Sequence, residues 1–256
     1  MTLPVAQLSG FAVDIAIRHL RDSPVVRVLD AVDLVVRAGR VTALIGESGC
    51  GKSLVAAALC GLMPPGSRMT GRITVDGDEL CDADERRWRR LRGHHIGFVP
   101  QSAATSFTPV RTMGSQMAEV CRRLGADRSA AQLWEAVGLS SEVGRRYPHE
   151  VSGGMAQRAA IAAAIAGHPR LLIADEPTSA LDPENAAMVW RLLANSAAAG
   201  AGVLVITHDL PSLICAGACD DVAVMRGGTV VEQGSVDALA GSVDGYVRRF
   251  LPGAAP

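Results

Sequence analysis

The stretch from Val41 to Leu62 constrains this chain more than any other. A short apolar run, Val41 to Ile45, passes directly into the glycine-rich GESGCGKS, Gly46 to Ser53, and then into the Ala/Leu segment Leu54 to Leu62. Buried strand, glycine loop and helix in that order are the elements of a phosphate-binding βα unit. Gly46, Gly49 and Gly51 let the backbone curl so that successive N–H groups point inward, those of Glu47, Ser48 and Cys50 among them, and the helix N-terminus reinforces the positive potential there. Lys52 is then expected to reach the β- and γ-phosphates of a nucleotide, and the Ser53 hydroxyl to ligate magnesium.

Composition sharpens this reading at one point. Of 25 basic residues 24 are arginine, and the single lysine is Lys52. Random placement among the basic positions would put it there about once in 25. A compact ammonium on a flexible stem suits insertion between phosphates better than a planar guanidinium. The remaining totals exclude rather than assign. The net charge is −1, which offers no global field for nucleic acid or anionic lipid. The longest apolar run, Ala159 to Gly167, is far short of the ~20 residues a membrane-spanning helix needs. The N-terminus lacks the pattern of a secretory signal. Six cysteines without CxxC spacing argue against a disulfide framework or a zinc site and read as reduced thiols, mostly buried. Cys50, next to Lys52 and a helix N-terminus, is expected to be the reactive one.

Along the chain, the first 40 residues read as β-structure, with a strand over Phe11–Ile17 and alternation at Val32, Leu34 and Val36. Further short strands are predicted at Arg72–Val75 and Ile96–Val99, and a helical region over Thr112–Gly138. Ser152 opens an Ala/Ile helix that stops at Gly167-His168-Pro169. Leu171–Ala174 and Val203–Thr207 have the continuous apolar character of parallel strands buried on both faces. Between them a helix starts with Asp182 as N-cap and Pro183 as first residue, and ends at Gly200. Asp221–Met225 and Thr229–Glu232 form a hairpin around Gly227-Gly228, and the tail PGAAP reads as frayed. The arginine-rich run Arg86, Arg87, Arg89, Arg90 and Arg92 reads as a solvated helix face, since Trp88 is the only aromatic interleaved with it.

The segment LLIADEP carries the second chemical element. A buried strand emerges into two carboxylates, of which Asp175 is placed to hold the magnesium shell and Glu176 to polarise an attacking water. His208, after the run VLVIT, is expected to bond the γ-phosphate.

Together with these, Gln101 after a strand, VSGGM at Val151–Met155 and DEPTSALD at Asp175–Asp182 resemble the Q-loop, signature, Walker B and D-loop of ABC ATPases. The resemblance runs from about residue 8 to 251. It implies an α/β fold, a P-loop NTPase core of RecA-like type with an N-terminal antiparallel β lobe and an inserted α-helical subdomain at approximately 104–165, within one unit spanning 1–256. It implies ATP and Mg2+ as cofactors, with Ser53, Gln101 and Asp175 about the metal, and Glu176, His208, Lys52 and Gln101 as the catalytic set. Ser152, Gly153, Gly154 and Asp182 are expected at nucleotide completed across a pair of subunits, because the signature lies at a helix N-terminus.

RRYPHEVSGGMAQR, QSAATSFTP and YVRRFLP are similar to peptide and nickel importer ATPases, and GKSLVAAALCGLMPPGSRMTGRI resembles the nickel type more closely. That likeness implies a peripheral subunit on the cytoplasmic side of the cell membrane. Its partners would be a paralogous second ATPase, two transmembrane permeases and, indirectly, an extracytoplasmic solute-binding protein, with no nucleic acid. Nickel or a nickel chelate is the expected solute and small peptides the runner-up. A soluble ABC ATPase acting on ribosomes or nucleic acid is the alternative; the second ATPase half, coiled coils or zinc modules that mark such proteins are not seen. The family's adenine-stacking aromatic falls at Ile15, with Phe11 as a neighbour able to supply a ring. Ser102-Ala103 stand where the family has Asp or Asn and then Pro.

Overall fold

The computed structural model describes residues 4–16, 25–179 and 181–251. Its first strands are β1 (Pro4–Ala16), β2 (Val25–Arg37) and β3 (Val41–Gly46), followed by helix α1 (Lys52–Leu59). Strands β4 (Arg68–Val75) and β5 (Asp78–Glu79), helix α2 (Glu85–Leu91) and strand β6 (Ile96–Val99) come next. Helices α3 (Ala103–Ser106), α4 (Met113–Leu124), α5 (Ala130–Ala136) and α6 (Gly153–Ala164) precede β7 (Leu171–Asp175). Helix α7 (Pro183–Ala198), β8 (Gly202–Ile206), α8 (Leu210–Cys215), β9 (Asp221–Arg226), β10 (Thr229–Ser235), α9 (Val236–Ala240) and α10 (Gly245–Arg248) complete the described chain.

Two sheets result. One is antiparallel in the order β2-β1-β4-β5; the other runs β10-β9-β3-β8-β7-β6, parallel from β9 to β6, with β10 antiparallel at its edge. The parallel strands show why continuous apolar runs are needed. Successive side chains point to opposite faces of a strand. Val41, Ala43, Ile45, Leu172, Ala174, Val203 and Val205 accordingly join one core with α6 and α7. Leu44, Leu171, Ile173, Leu204 and Ile206 join a second core with α1 and the antiparallel lobe. This is the α/β P-loop arrangement with an antiparallel lobe expected from the sequence.

Caps fix the helices. The Asp182 carboxylate accepts from Asn185 N at 2.9 Å and Pro183 begins α7, whose end is followed by Gly200 in the left-handed region. Ser152 Oγ accepts from Met155 N at 3.2 Å and starts α6. Ser129 and Gln132 form a reciprocal capping box at α5.

Several sequence expectations are corrected. The first strand is 13 residues long rather than a strand over 11–17, and it continues across a bulge near Gly10. Ile17 lies outside the described residues, as does the tail 252–256. The helical stretch 112–138 divides into α4 and α5, because Gly125 closes α4 in the left-handed conformation. The Ser152 helix ends at Ala164, earlier than the breaker cluster. Within the arginine run, Arg86, Arg89 and Arg90 are exposed, but Arg92 turns inward and donates to the carbonyls of Cys60 and Gly61 while Trp88 packs over Gly61.

The bulge between β1 and β4 rests on close backbone approach. Gly71 has φ +86°, and a Cβ there would lie 2.3 Å from the Gly10 carbonyl oxygen. Gly71→Ala is therefore expected to lower stability by roughly 2 kcal/mol or more, read as a reduced denaturation midpoint with the far-ultraviolet circular dichroism of the folded protein unchanged.

Candidate functional site

The phosphate loop is set by β3. Buried on both faces, that strand carries the chain to Gly46, where the backbone turns at φ 148°, and Gly49 and Gly51 also lie at positive φ. Helix α1 begins immediately at Lys52, with no acidic residue in its first turn to neutralise its N-terminus. Lys52 Nζ donates to the carbonyls of Gly46 and Glu47, both at 2.8 Å, which gathers the ammonium over its own loop.

Eight of the predicted residues line one open cavity of about 330 Å3: Ser48, Gly49, Gly51, Lys52, Ser53, Gln101, Asp175 and Glu176. Leu54 and Ile206 complete its wall. Asp175 ends β7 in register with Ile206 of β8, and Gln101 follows β6. Burial raises the Asp175 carboxyl above its ordinary range; a hydrogen bond from Ser53 opposes this, Glu176 adds to it, and the Lys52 charge opposes it. Its Oδ1 is buried without a hydrogen-bond partner among the described residues. A hard divalent cation is bound by oxygen donors of this kind, so Asp175 and Ser53 fit magnesium beside a phosphate chain.

Glu176 has φ 47°, a left-handed conformation unusual for a residue with a side chain, and its N–H donates to Ile206 O at 2.9 Å. Backbone strain of this kind costs about 1–3 kcal/mol and clusters at working sites. His208 Nδ1 donates to Glu176 Oε2 at 2.7 Å, which brings the histidine to the cavity edge through the glutamate rather than through the loop.

Other predicted residues are placed elsewhere. Ser152 and Gly154 sit at the start of α6 outside the cavity, while Gly153 joins Gln101, Gln157 and Glu176 around a neighbouring cleft of about 280 Å3. The Asp182 carboxylate is taken up as the cap of α7, and the N–H of Asn185 holds it below its ordinary range. Gly46, Glu47 and Cys50 belong to the loop but not to the cavity wall. Phe11 is fully buried and offers no platform for a base, whereas Ile15 is partly buried against the core of the antiparallel lobe; residues 17–24, which follow Ile15, lie outside the described residues. Tyr246 was not predicted as a site residue, although it lies beneath the loop in the YVRRFLP segment. Nothing in its local spacing marks it.

A family model described as ABC transporter matches residues 29–179. The chain belongs to that family. It is an ATP-binding ATPase of the ABC transporter class. It is 38% identical over 260 residues to the probable peptide ABC transporter ATP-binding protein y4tR of Sinorhizobium fredii, covering 97% of this chain and 77% of that protein. Identity to the oligopeptide transport ATP-binding protein OppD of Mycobacterium tuberculosis is 41% over 236 residues, 88% of this chain and 38% of that protein. To the probable D,D-dipeptide transport ATP-binding protein DdpD of Escherichia coli it is 40% over 220 residues, 82% of this chain and 66% of that protein. Among solved structures, a dimeric post-hydrolysis form of the ATP-binding cassette MJ0796 bound to ADP and Pi superposes with a TM-score of 0.75 at 24% identity, covering 90% of this chain and 98% of that one. That likeness shows the fold. An ATP-binding subunit of an ABC transporter gives a TM-score of 0.72 at 26% identity, covering 98% and 95%.

The cysteines differ from expectation. Cys50 and Cys60 are buried, Cys81, Cys121 and Cys219 are partly so, and Cys215 is exposed. Cys50 Sγ lies 3.8 Å from Lys52 Nζ and the residue is only 8% exposed, which hinders an alkylating reagent. Burial pushes the Cys60 and Cys219 thiols up to about 12. With a maleimide reagent, Cys215 is expected to label first and Cys50 slowly, as peptide mapping over time would show; prompt labelling of Cys50 would mean that the loop opens readily.

Proposed function

We propose that this chain is the motor subunit of an ABC importer for small peptides, hydrolysing ATP at the cavity around Lys52 and Glu176. The single observation that carries the mechanism is the convergence of Lys52, Ser53, Gln101, Asp175 and Glu176 on one cavity. In this reading the loop N–H groups and Lys52 bind the phosphates, and Ser53, Asp175 and Gln101 hold Mg2+. When bound, the ion neutralises charge on the phosphate oxygens. Glu176, aimed by its hydrogen bond from His208, takes the proton of the attacking water. His208 then stands where loss of the γ-phosphate would alter its contacts.

The partners follow from the same reading. Ser152 and Gly154 lie outside the cavity of their own chain, which leaves the α6 N-terminus free to serve the nucleotide of a second ATPase subunit. Residues 104–165, α3 to α6, act as the helical subdomain. An apolar cleft of about 330 Å3 between β6 and this region, lined by Phe98, Phe107, Gln116, Val120 and Ala160 among others, is the seat proposed for a permease segment. No described helix is long and apolar enough to cross a membrane. The membrane path therefore belongs to two permease subunits at whose cytoplasmic face this chain docks, with a solute-binding protein delivering cargo on the other side. Peptides replace nickel as the proposed solute, because the relatives described above carry peptide and dipeptide transport in their names.

Two variants separate binding from chemistry. Lys52→Ala is expected to abolish nucleotide binding, whereas Glu176→Gln keeps binding and loses about 10²- to 10⁴-fold in hydrolysis rate, measured in the assembled transporter. Near-normal turnover by Glu176→Gln would remove it as the base. In cells lacking this subunit, uptake of a labelled dipeptide is expected to fall while radioactive nickel uptake persists; the reverse pattern would restore nickel as the solute.

A further inference from the structure

The C-terminal helix α10 reaches the phosphate loop through one side chain. Tyr246 is buried, and its hydroxyl donates to Met225 O at 3.0 Å. Met225 is the β9 residue paired in register with Gly46, the first residue of the loop. Gly46 is pressed onto the same carbonyl, since a Cβ there would lie 2.3 Å from Met225 O. Burial pushes the phenol up, so it remains a donor near neutral pH. The ring is contacted on several sides. Arg226 and Arg249 lie over it at 5.0 and 5.8 Å, and Phe250 meets it edge-on at 5.2 Å.

We propose that Tyr246 is a positioning residue for nucleotide binding: its hydroxyl ties α10 to Met225 O, the carbonyl on which Gly46 rests, and so fixes the entry of the phosphate loop. The carbonyl of Gly46 and that of the next residue, Glu47, are the two that hold Lys52 Nζ. A loop freed at its entry would therefore present its ammonium and its first N–H groups less well ordered to the phosphates. Binding has to re-form that order, so affinity is reduced while the carboxylates of the chemical step, on a different strand, are untouched. The inference rests on the loop being the ATP site proposed above.

The test uses the full chain. Tyr246→Phe keeps the ring, its clamp and its volume and removes only the hydroxyl. The dissociation constant for a fluorescent ATP analogue, and KM for ATP in the assembled transporter, are expected to rise about three- to tenfold with kcat within about twofold. Unchanged affinity, whether or not the unfolding midpoint drops, would overturn the positioning role, as would a fall in kcat at constant affinity. Wild-type chain and Lys52→Ala run alongside separate the two ideas: binding that Lys52→Ala abolishes and Tyr246→Phe leaves intact defeats this inference alone, and absence of binding by the wild type defeats both.

Discussion

Strand β3 is hydrogen-bonded along both edges, with Val41–Leu44 paired to Val203–Ile206 and Thr42–Gly46 to Asp221–Met225, all in parallel. The next pair outward sets Asp175 opposite Ile206. Parallel register forces every strand to end on the same side of the sheet, and ligands of open α/β sheets bind along that side. Lys52, Asp175, Glu176 and His208, which sequence scatters over more than half of the chain, meet there for this reason alone. A register slip by one residue would turn the apolar alternation of the two cores inside out, so the burial that stabilises the sheet also fixes the site.

The same edge carries the local costs. Glu176 is held at positive φ, and the neighbouring Asp175 has a buried oxygen without a partner among the described residues. Each would be selected against in an ordinary strand end, since an unsatisfied buried acceptor costs about 1–3 kcal/mol and left-handed backbone a similar amount. Both are tolerated because Glu176 N–H is bonded to Ile206 O and the strand is packed on both faces. Strain and an unmet acceptor side by side, lining the cavity that also holds the only lysine, agree with a site arranged for a cation and a phosphate chain.

What the sequence made legible was local and periodic. The run Val41–Ile45 into the glycine loop, the apolar strands at 171–174 and 203–207, and the Asp182-Pro183 start of α7 depend on contiguous residue types, and they stand in the structure with boundaries off by a residue or two. What was missed depends on tertiary contact. The length of β1 was hidden because its bulge at Gly10 interrupts the alternation, and Arg92 was grouped with solvated arginines because nothing local shows that Cys60 and Gly61 carbonyls await it. Burial of Cys50 could not be read from a motif that sequence logic treats as open. The placing of Ile15 against the lobe core likewise follows from pairing with Val26 across the sheet rather than from any feature of its own strand.

The loop is thus held from two directions by groups far apart in sequence. On one side Ser53 shares a cavity with Asp175, the end of β7; on the other Gly46 rests on Met225 near the end of β9. The first contact belongs to the reacting edge and is expected to change whenever nucleotide and cation come and go. The second lies outside the cavity wall, and Tyr246 is bonded to the same Met225 carbonyl. A loop fixed at its entry and adjustable at its exit can reorganise around a phosphate chain without losing its register on the sheet. That division of labour connects the last described helix of the chain to its first chemical motif, and it accounts for an aromatic residue with a hydroxyl at position 246, where a purely apolar ring would fill the same space.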